Sequence, residues 1–246
     1  MLIIITKNYN ELSKRAAELV VEEILKNPHL VLGLPTGATP VGMYKLLIKS
    51  YKNKTKNKNK LDFSKITCFN LDEYYPIKRN NKNSYYSFMH NNFFSHVNVK
   101  KSNINILNSE SKNPKKDCIL YEKKIKKNPI DLQILGVGIN GHIGFNEPGS
   151  EFNSKTRIIN LTENTIKRNS RFFKNKSEVP TQALTMGIST IMSAKKLILL
   201  ANGKNKANAI KRLVNGPINK DCPVSFLRKH KNLVVIVDKE AASLLK

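Results

Sequence analysis

The stretch Asn128-Pro129-Ile130-Asp131-Leu132-Gln133-Ile134-Leu135-Gly136-Val137-Gly138-Ile139-Asn140-Gly141-His142-Ile143-Gly144-Phe145-Asn146-Glu147-Pro148-Gly149 decides the fold. Its Asp131–Leu135 part has the pattern of a strand buried in a parallel sheet, and it runs directly into a glycine-rich loop carrying one His and one Glu. In α/β sheets ligands sit outside the carboxyl ends of the strands, so chemistry is expected at such a strand end.

Outward from this stretch, strands and helices alternate. Leu2–Thr6 reads as a strand, and Glu11–Leu25 as a helix with Leu12, Ala16, Leu19, Val20 and Ile24 at helical spacing. Leu30–Leu34 is a second strand and Val41–Tyr51 the helix after it, while Lys52–Lys60, rich in Lys and Asn, reads as a solvated loop or a frayed helix extension. Ile66–Leu71 is a third strand, ending at Asp72-Glu73-Tyr74, and a helix with Tyr85, Phe88, Met89, Phe93 and Phe94 follows. Lys115–Lys127 is helical, Arg157–Leu161 a short strand and Glu163–Phe172 a helix. Lys196–Ala201 is a strand, Ala207–Val214 a helix, Leu233–Val237 the closing strand and Glu240–Leu245 a terminal helix. This order implies right-handed crossovers and an α/β fold, a mostly parallel sheet covered by helices on both faces. No linker or composition shift divides the chain, so residues 1–246 are expected to form one domain.

The formal charge of +25 suggests a polyanion partner, but only seven of the 43 basic residues are Arg, and the lysines are scattered among Asn and Ile. A solvated basic surface is the expectation, with no specific nucleic-acid function. Cys68, Cys118 and Cys222 have neither disulfide-framework nor zinc-site spacing. No apolar run approaches membrane-spanning length, and Met1–Thr6 followed by Lys7 lacks signal-peptide architecture, so a soluble, cytoplasmic protein is expected.

Four strand-end loops carry polar residues. In Gly33-Leu34-Pro35-Thr36-Gly37-Ala38-Thr39-Pro40 a glycine-bearing turn leads into a helix start, a ready anion site that is neither a nucleotide P-loop nor GxGxxG. Asp72-Glu73 sets two carboxylates at the sheet mouth, where partial burial can turn one into a base; an extended backbone lets only one point inward, and Asp72 is chosen, with Glu73 as support. The opening loop offers His142 as an acid/base that Glu147 can orient. Gly203-Lys204-Asn205-Lys206 opens another helix, and together with Arg168 and Arg171 it can complete a phosphate pocket. A phosphorylated small molecule, a carboxylate base and a His acid follow, with no redox-cofactor fingerprint.

Five motifs then resemble, in order, the signatures of the glucosamine-6-phosphate deaminase (isomerase) family: Leu32-Gly33-Leu34-Pro35-Thr36-Gly37, Phe69-Asn70-Leu71-Asp72-Glu73-Tyr74, Ser84-Tyr85-Tyr86-Ser87-Phe88-Met89, Asn140-Gly141-His142-Ile143-Gly144-Phe145-Asn146-Glu147-Pro148 and Asn169-Ser170-Arg171-Phe172-Phe173. The resemblance implies a Rossmann-like three-layer sandwich that converts glucosamine 6-phosphate and water to fructose 6-phosphate and ammonia without an organic cofactor or obligatory metal. By motif it implies Asp72 as the C2–C1 proton carrier, His142 as the ring-opening acid with Asn140 and Glu147 in its relay, and Gly37, Ala38, Thr39, Arg171 and Lys206 as the phosphate grip. Lys206 matches the family better than Lys204. Some members have Asp where Asn140 stands; the neutral amide can orient His142, but carboxylate support must then come from Glu147. Longer members carry a C-terminal extension and an allosteric site with a Lys where Ile159 stands here, so little allosteric activation is expected, and the short tail favours a monomer. The related 6-phosphogluconolactonases carry Gly-His-Thr, unlike His142-Ile143 here. A noncatalytic sugar-phosphate sensor would lack the catalytic pair and add a DNA-binding module.

Overall fold

The computed structural model describes residues 1–53, 61–170, 173, 175 and 178–245. In chain order it contains β1 (Leu2–Thr6), α1 (Tyr9–Lys26), β2 (Val31–Leu34), α2 (Val41–Lys52), β3 (Thr67–Asn70), β4 (Asp72–Tyr75) and α3 (Tyr85–Asn92). There follow β5 (Ile104–Asn105), α4 (Pro114–Lys127), β6 (Leu132–Gly136), β7 (Arg157–Asn160), α5 (Glu163–Asn169) and β8 (Gln182–Thr185). The chain then forms α6 (Ile188–Met192), β9 (Lys196–Ala201), α7 (Ala207–Asn215) and β10 (Leu233–Asp238).

Seven strands form one sheet in the order β1-β10-β9-β6-β2-β3-β5, with every neighbouring pair parallel. The apolar runs of the central strands serve both faces at once, because successive side chains point to opposite sides. Leu132, Ile134, Ile198 and Ile236 pack with Leu12 and Val20 of α1 and Met43 and Leu47 of α2. Leu135, Leu197, Leu199 and Val235 pack with Tyr121 and Ile125 of α4 and Ile210 and Leu213 of α7. Two separate apolar layers thus clamp the sheet and produce the α/β sandwich read from the sequence.

The direction of strand addition reverses between β2 and β6. From β2 the chain adds β3 and β5 on one side, and from β6 it adds β9 and β10 on the other. Loops leaving β2 and β6 therefore diverge and open a crevice at the carboxyl edge of the sheet, the usual ligand position in such folds.

A second sheet, β4-β8-β7, is antiparallel and was absent from the sequence reading. Asp72-Glu73-Tyr74, expected in a loop, is instead a strand, with Asp72 opposite Thr185 and Glu73 opposite Leu184. Leu71 alone separates it from β3, so this sheet lies directly against the carboxyl edge of the main one; Leu71 N–H bonds to Leu34 O at 3.0 Å and Met186 N–H to Leu71 O at 2.9 Å.

Two further expectations need correction. The proposed terminal helix over Glu240–Leu245 is a set of turns. The helix after Tyr85 stops at Asn92, and Phe94–His96 is a separate 3₁₀ turn. The helix expected to reach Phe172 is described only as Glu163–Asn169, and residues 171 and 172 lie outside the described residues, as do residues 54–60 of the Lys/Asn-rich segment.

Gly33 in β2 shows how tightly the sheet is covered: a Cβ there would overlap the side-chain amide of Gln133 on β6, whose Nε2 donates to Ile134 O at 2.8 Å. Gly33→Ala is expected to cost about 1–3 kcal/mol by overpacking. Urea unfolding should show a lower midpoint with an unchanged slope, and a midpoint equal to that of the parent would refute the expected clash.

Candidate active site

A cavity of about 520 Å³ fills the crevice between β2 and β6. Its walls are residues 35–40 after β2, 136–138, 142, 144, 145 and 147 after β6, and 202, 203, 205 and 206 after β9, with Leu71, Asp72 from β4, Tyr85 from α3 and Thr165 from α5.

One end is built for an anion. Gly37 holds φ +98°, a left-handed conformation that turns the chain into the start of α2, and Gly37, Ala38 and Thr39 line the cavity there. The helix start attracts negative charge through its macrodipole. Two residues absent from the sequence reading fix this turn. The Tyr9 hydroxyl donates to Ala38 O at 3.0 Å and accepts from Gly42 N–H at 2.8 Å. Thr39 Oγ1 donates to Asn202 Oδ1 at 2.8 Å, which ties the turn after β2 to the one after β9. That second turn is set by Gly203 at φ +87°, whose N–H bonds to both Asp238 carboxylate oxygens at 3.1 and 3.0 Å, and it carries Lys206 into the wall. Lys204 is not part of this wall. Arg171 and the side chain of Arg168 lie outside the described residues.

The loop after β6 closes on itself through Gly138 N–H to His142 O at 2.9 Å and Gly141 N–H to Gly138 O at 3.0 Å. Gly141, at φ +89°, makes the return, and the His142 ring lies directly over Gly138, where a Cβ would overlap it. His142 Nδ1 is 2.7 Å from Asn140 Oδ1, and Asn140 Nδ2 donates to Glu147 Oε2 at 2.7 Å. The carboxylate can only accept, so the Asn140 amide must present its oxygen to the imidazole, and Nδ1 must carry the hydrogen. Nε2 is then the nitrogen left to exchange a proton with a bound molecule. Glu147 Oε2 also stands 3.5 Å from His142 Nδ1, and Oε1 accepts from the Thr165 hydroxyl at 2.7 Å. Burial alone would raise the Glu147 pKa; the hydrogen bond and charge of His142, with donors from Asn140 and Thr165, outweigh it and lower the value to about 2.

The two carboxylates of β4 separate as strand alternation requires. Glu73 is fully buried, and its oxygens accept the N–H groups of Tyr74 at 2.9 Å and of Tyr85 and Tyr86 at 2.8 Å each, capping the start of α3. Burial raises its pKa to about 7 against the pull of these donors. Asp72 lines the cavity at 6% exposure, and its Oδ1 has no hydrogen-bond partner among the described residues. Burial, and then the charge of Glu73, raises its pKa to about 8. A desolvated carboxylate of this kind is a stronger base than one in water.

The cavity thus brings together Asp72, His142, Glu147, Gly37, Ala38, Thr39 and Lys206, with Asn140 joining through its bonds to His142 and Glu147. Among the described residues no three His, Cys, Asp or Glu side chains gather as metal ligands would, and no helix is long and apolar enough to cross a membrane.

Residues 7–236 match the family model described as glucosamine-6-phosphate isomerases/6-phosphogluconolactonase. A protein of Clostridium novyi (strain NT) named glucosamine-6-phosphate deaminase is 54% identical over 246 residues, covering 100% of both chains. One of Clostridium botulinum (strain Langeland / NCTC 10281 / Type F) with the same name is 53% identical over 247 residues, covering 100% of this chain and 99% of the other. A solved structure described as a monomeric glucosamine-6-phosphate deaminase superposes with a TM-score of 0.94 at 42% identity, covering 99% of this chain and 100% of that one.

Proposed function

The chain belongs to the glucosamine-6-phosphate isomerase/6-phosphogluconolactonase family, and from that membership we propose that it is a glucosamine-6-phosphate deaminase, converting glucosamine 6-phosphate and water to fructose 6-phosphate and ammonia. The observation that carries this reading is one cavity with a carboxylate base and an imidazole acid on different walls and an anion-binding helix start at its end.

The reaction needs an acid first. As the C1–O5 bond of the pyranose breaks, His142 Nε2 protonates the ring oxygen and the anomeric hydroxyl gives its proton to solvent water, leaving the aldehyde. Asn140 and Glu147 hold the other ring nitrogen. A hydrogen must then move from C2 to C1. The Asp72 carboxylate takes it while water returns a proton to the C1 oxygen, so that the C1=C2 enolamine forms; Asp72 then delivers the hydrogen to C1, leaving an imine at C2. Water adds to the imine and ammonia leaves. The phosphate, held by the turn at residues 37–39 and by Lys206, keeps the chain in register with both groups. We assign Arg171 to the same grip on its motif alone.

Lactone hydrolysis, the family's other activity, transfers no hydrogen between carbons and would leave Asp72 without its task. The reading is tested by ammonia release from glucosamine 6-phosphate by the purified protein, with 6-phosphogluconolactone as the competing substrate. Ammonia and fructose 6-phosphate should appear together. Lactone consumption without ammonia release would refute the deaminase reading. A monomer is our expectation for the solution state, in line with the relative described as monomeric.

A further inference from the structure

We propose that Thr165 is a positioning residue of the ring-opening relay: its hydroxyl, set by the first turn of α5, holds Glu147 where that carboxylate supports His142. The proposal rests on the deaminase reading and adds a residue outside the five motifs.

Asn140 can orient the imidazole but carries no charge, so support for an imidazolium falls to Glu147, 3.5 Å from Nδ1. One of its oxygens is held by Asn140 Nδ2, and the other by Thr165 Oγ1, both at 2.7 Å. The Thr165 hydroxyl is itself fixed. Thr162 Oγ1 donates to it at 3.0 Å, and Thr165 N–H returns a bond to Thr162 Oγ1 at 3.3 Å as the cap of α5. Donors therefore run in one direction, from Thr162 to Thr165 to Glu147, and meet the Asn140 donor at the same carboxylate. Hydrogen bonds ordered in this way reinforce each other, and those ending on a charge are the strong ones. Around this relay stand Asp72 on β4, Lys206 after β9, and Arg157 on β7, which donates to Asn146 Oδ1 at 2.9 Å; α5 adds the exposed Glu163. The Glu147 carboxylate accepts from Asn140 and Thr165, and it pairs with His142.

The experiment is the pH profile of ammonia release for the wild type, Thr165→Val and Thr165→Ser. The acid must be protonated to act, so activity falls as pH rises through its titration. Losing the hydroxyl weakens support for the protonated ring and should move the alkaline limb down by about 0.5–1 pH unit, with kcat about tenfold lower and KM within about twofold. Serine keeps the hydroxyl and should restore both limb and rate. In a Glu147→Gln background Thr165→Val should move the limb no further. An unmoved limb in Thr165→Val, whether or not its melting temperature falls, would overturn the proposal, as would a Ser variant no better than Val. If the wild type releases no ammonia, the deaminase reading fails first, and its failure is seen before any variant is compared.

Discussion

Asp72→Asn is expected to lose at least about 10²-fold in turnover and yet to melt at a higher temperature than the parent. Both effects come from the same burial. The folded protein raises the Asp72 pKa from an ordinary value near 3.8 to about 8, so between these pH values the fold binds a proton that the unfolded chain has released. Stability therefore declines as pH rises across this window, because the unfolded state then binds fewer protons than the native one. Below about pH 4 both states are protonated and the penalty vanishes; above about 8 it is complete. Asparagine has the shape of the protonated acid without its titration. The gain in stability should be close to zero at pH 4 and reach the order of a few kcal/mol by pH 8, several degrees in a chain of this size. Melting curves at several pH values decide the matter. A variant that melts below the parent throughout, or one that keeps turnover within tenfold, would remove Asp72 from the role of buried base.

The parts of this fold that were legible share one physical cause. Strands such as β6, β9 and β10 are covered on both faces, so their local composition already states their environment. The antiparallel sheet gives no such signal: β4 and β8 pair across more than a hundred residues, and Asp72-Glu73 reads as two polar residues until Thr185 and Leu184 are set opposite them. The site divides in the same way. His142, Asn140 and Glu147 lie within one loop, and Asp72 stands just past a strand, so spacing alone made them candidates. Thr165 reaches Glu147 across 18 positions, Gly42 reaches Tyr9 across 33, and Thr39 reaches Asn202 across 163. Thr162 is of a residue type that favours the helix N-cap it occupies, but only tertiary packing aims the Thr165 hydroxyl at a carboxylate.

Gly138→Ala is expected to lower kcat/KM about 10²–10³-fold while leaving the fold intact, because the obstacle to a methyl group at this position is the catalytic ring itself. A Cβ on residue 138 would overlap Cε1, Nδ1 and Nε2 of His142, whereas the backbone here is not left-handed and accepts alanine without strain. The imidazole must swing away, and in doing so it stretches the 2.7 Å contact with Asn140 and the 3.5 Å approach to Glu147. The anion end of the cavity is built from other loops, so competitive inhibition by inorganic phosphate should stay within about twofold. A double variant separates this cause from a general disturbance of the loop. In His142→Ala there is no ring to displace, so adding Gly138→Ala should cost no further activity, a non-additivity expected only when both changes act on the same group. Full additivity would mean that the methyl group acts elsewhere, and a single variant within about threefold of the parent would mean that the ring position does not govern the rate.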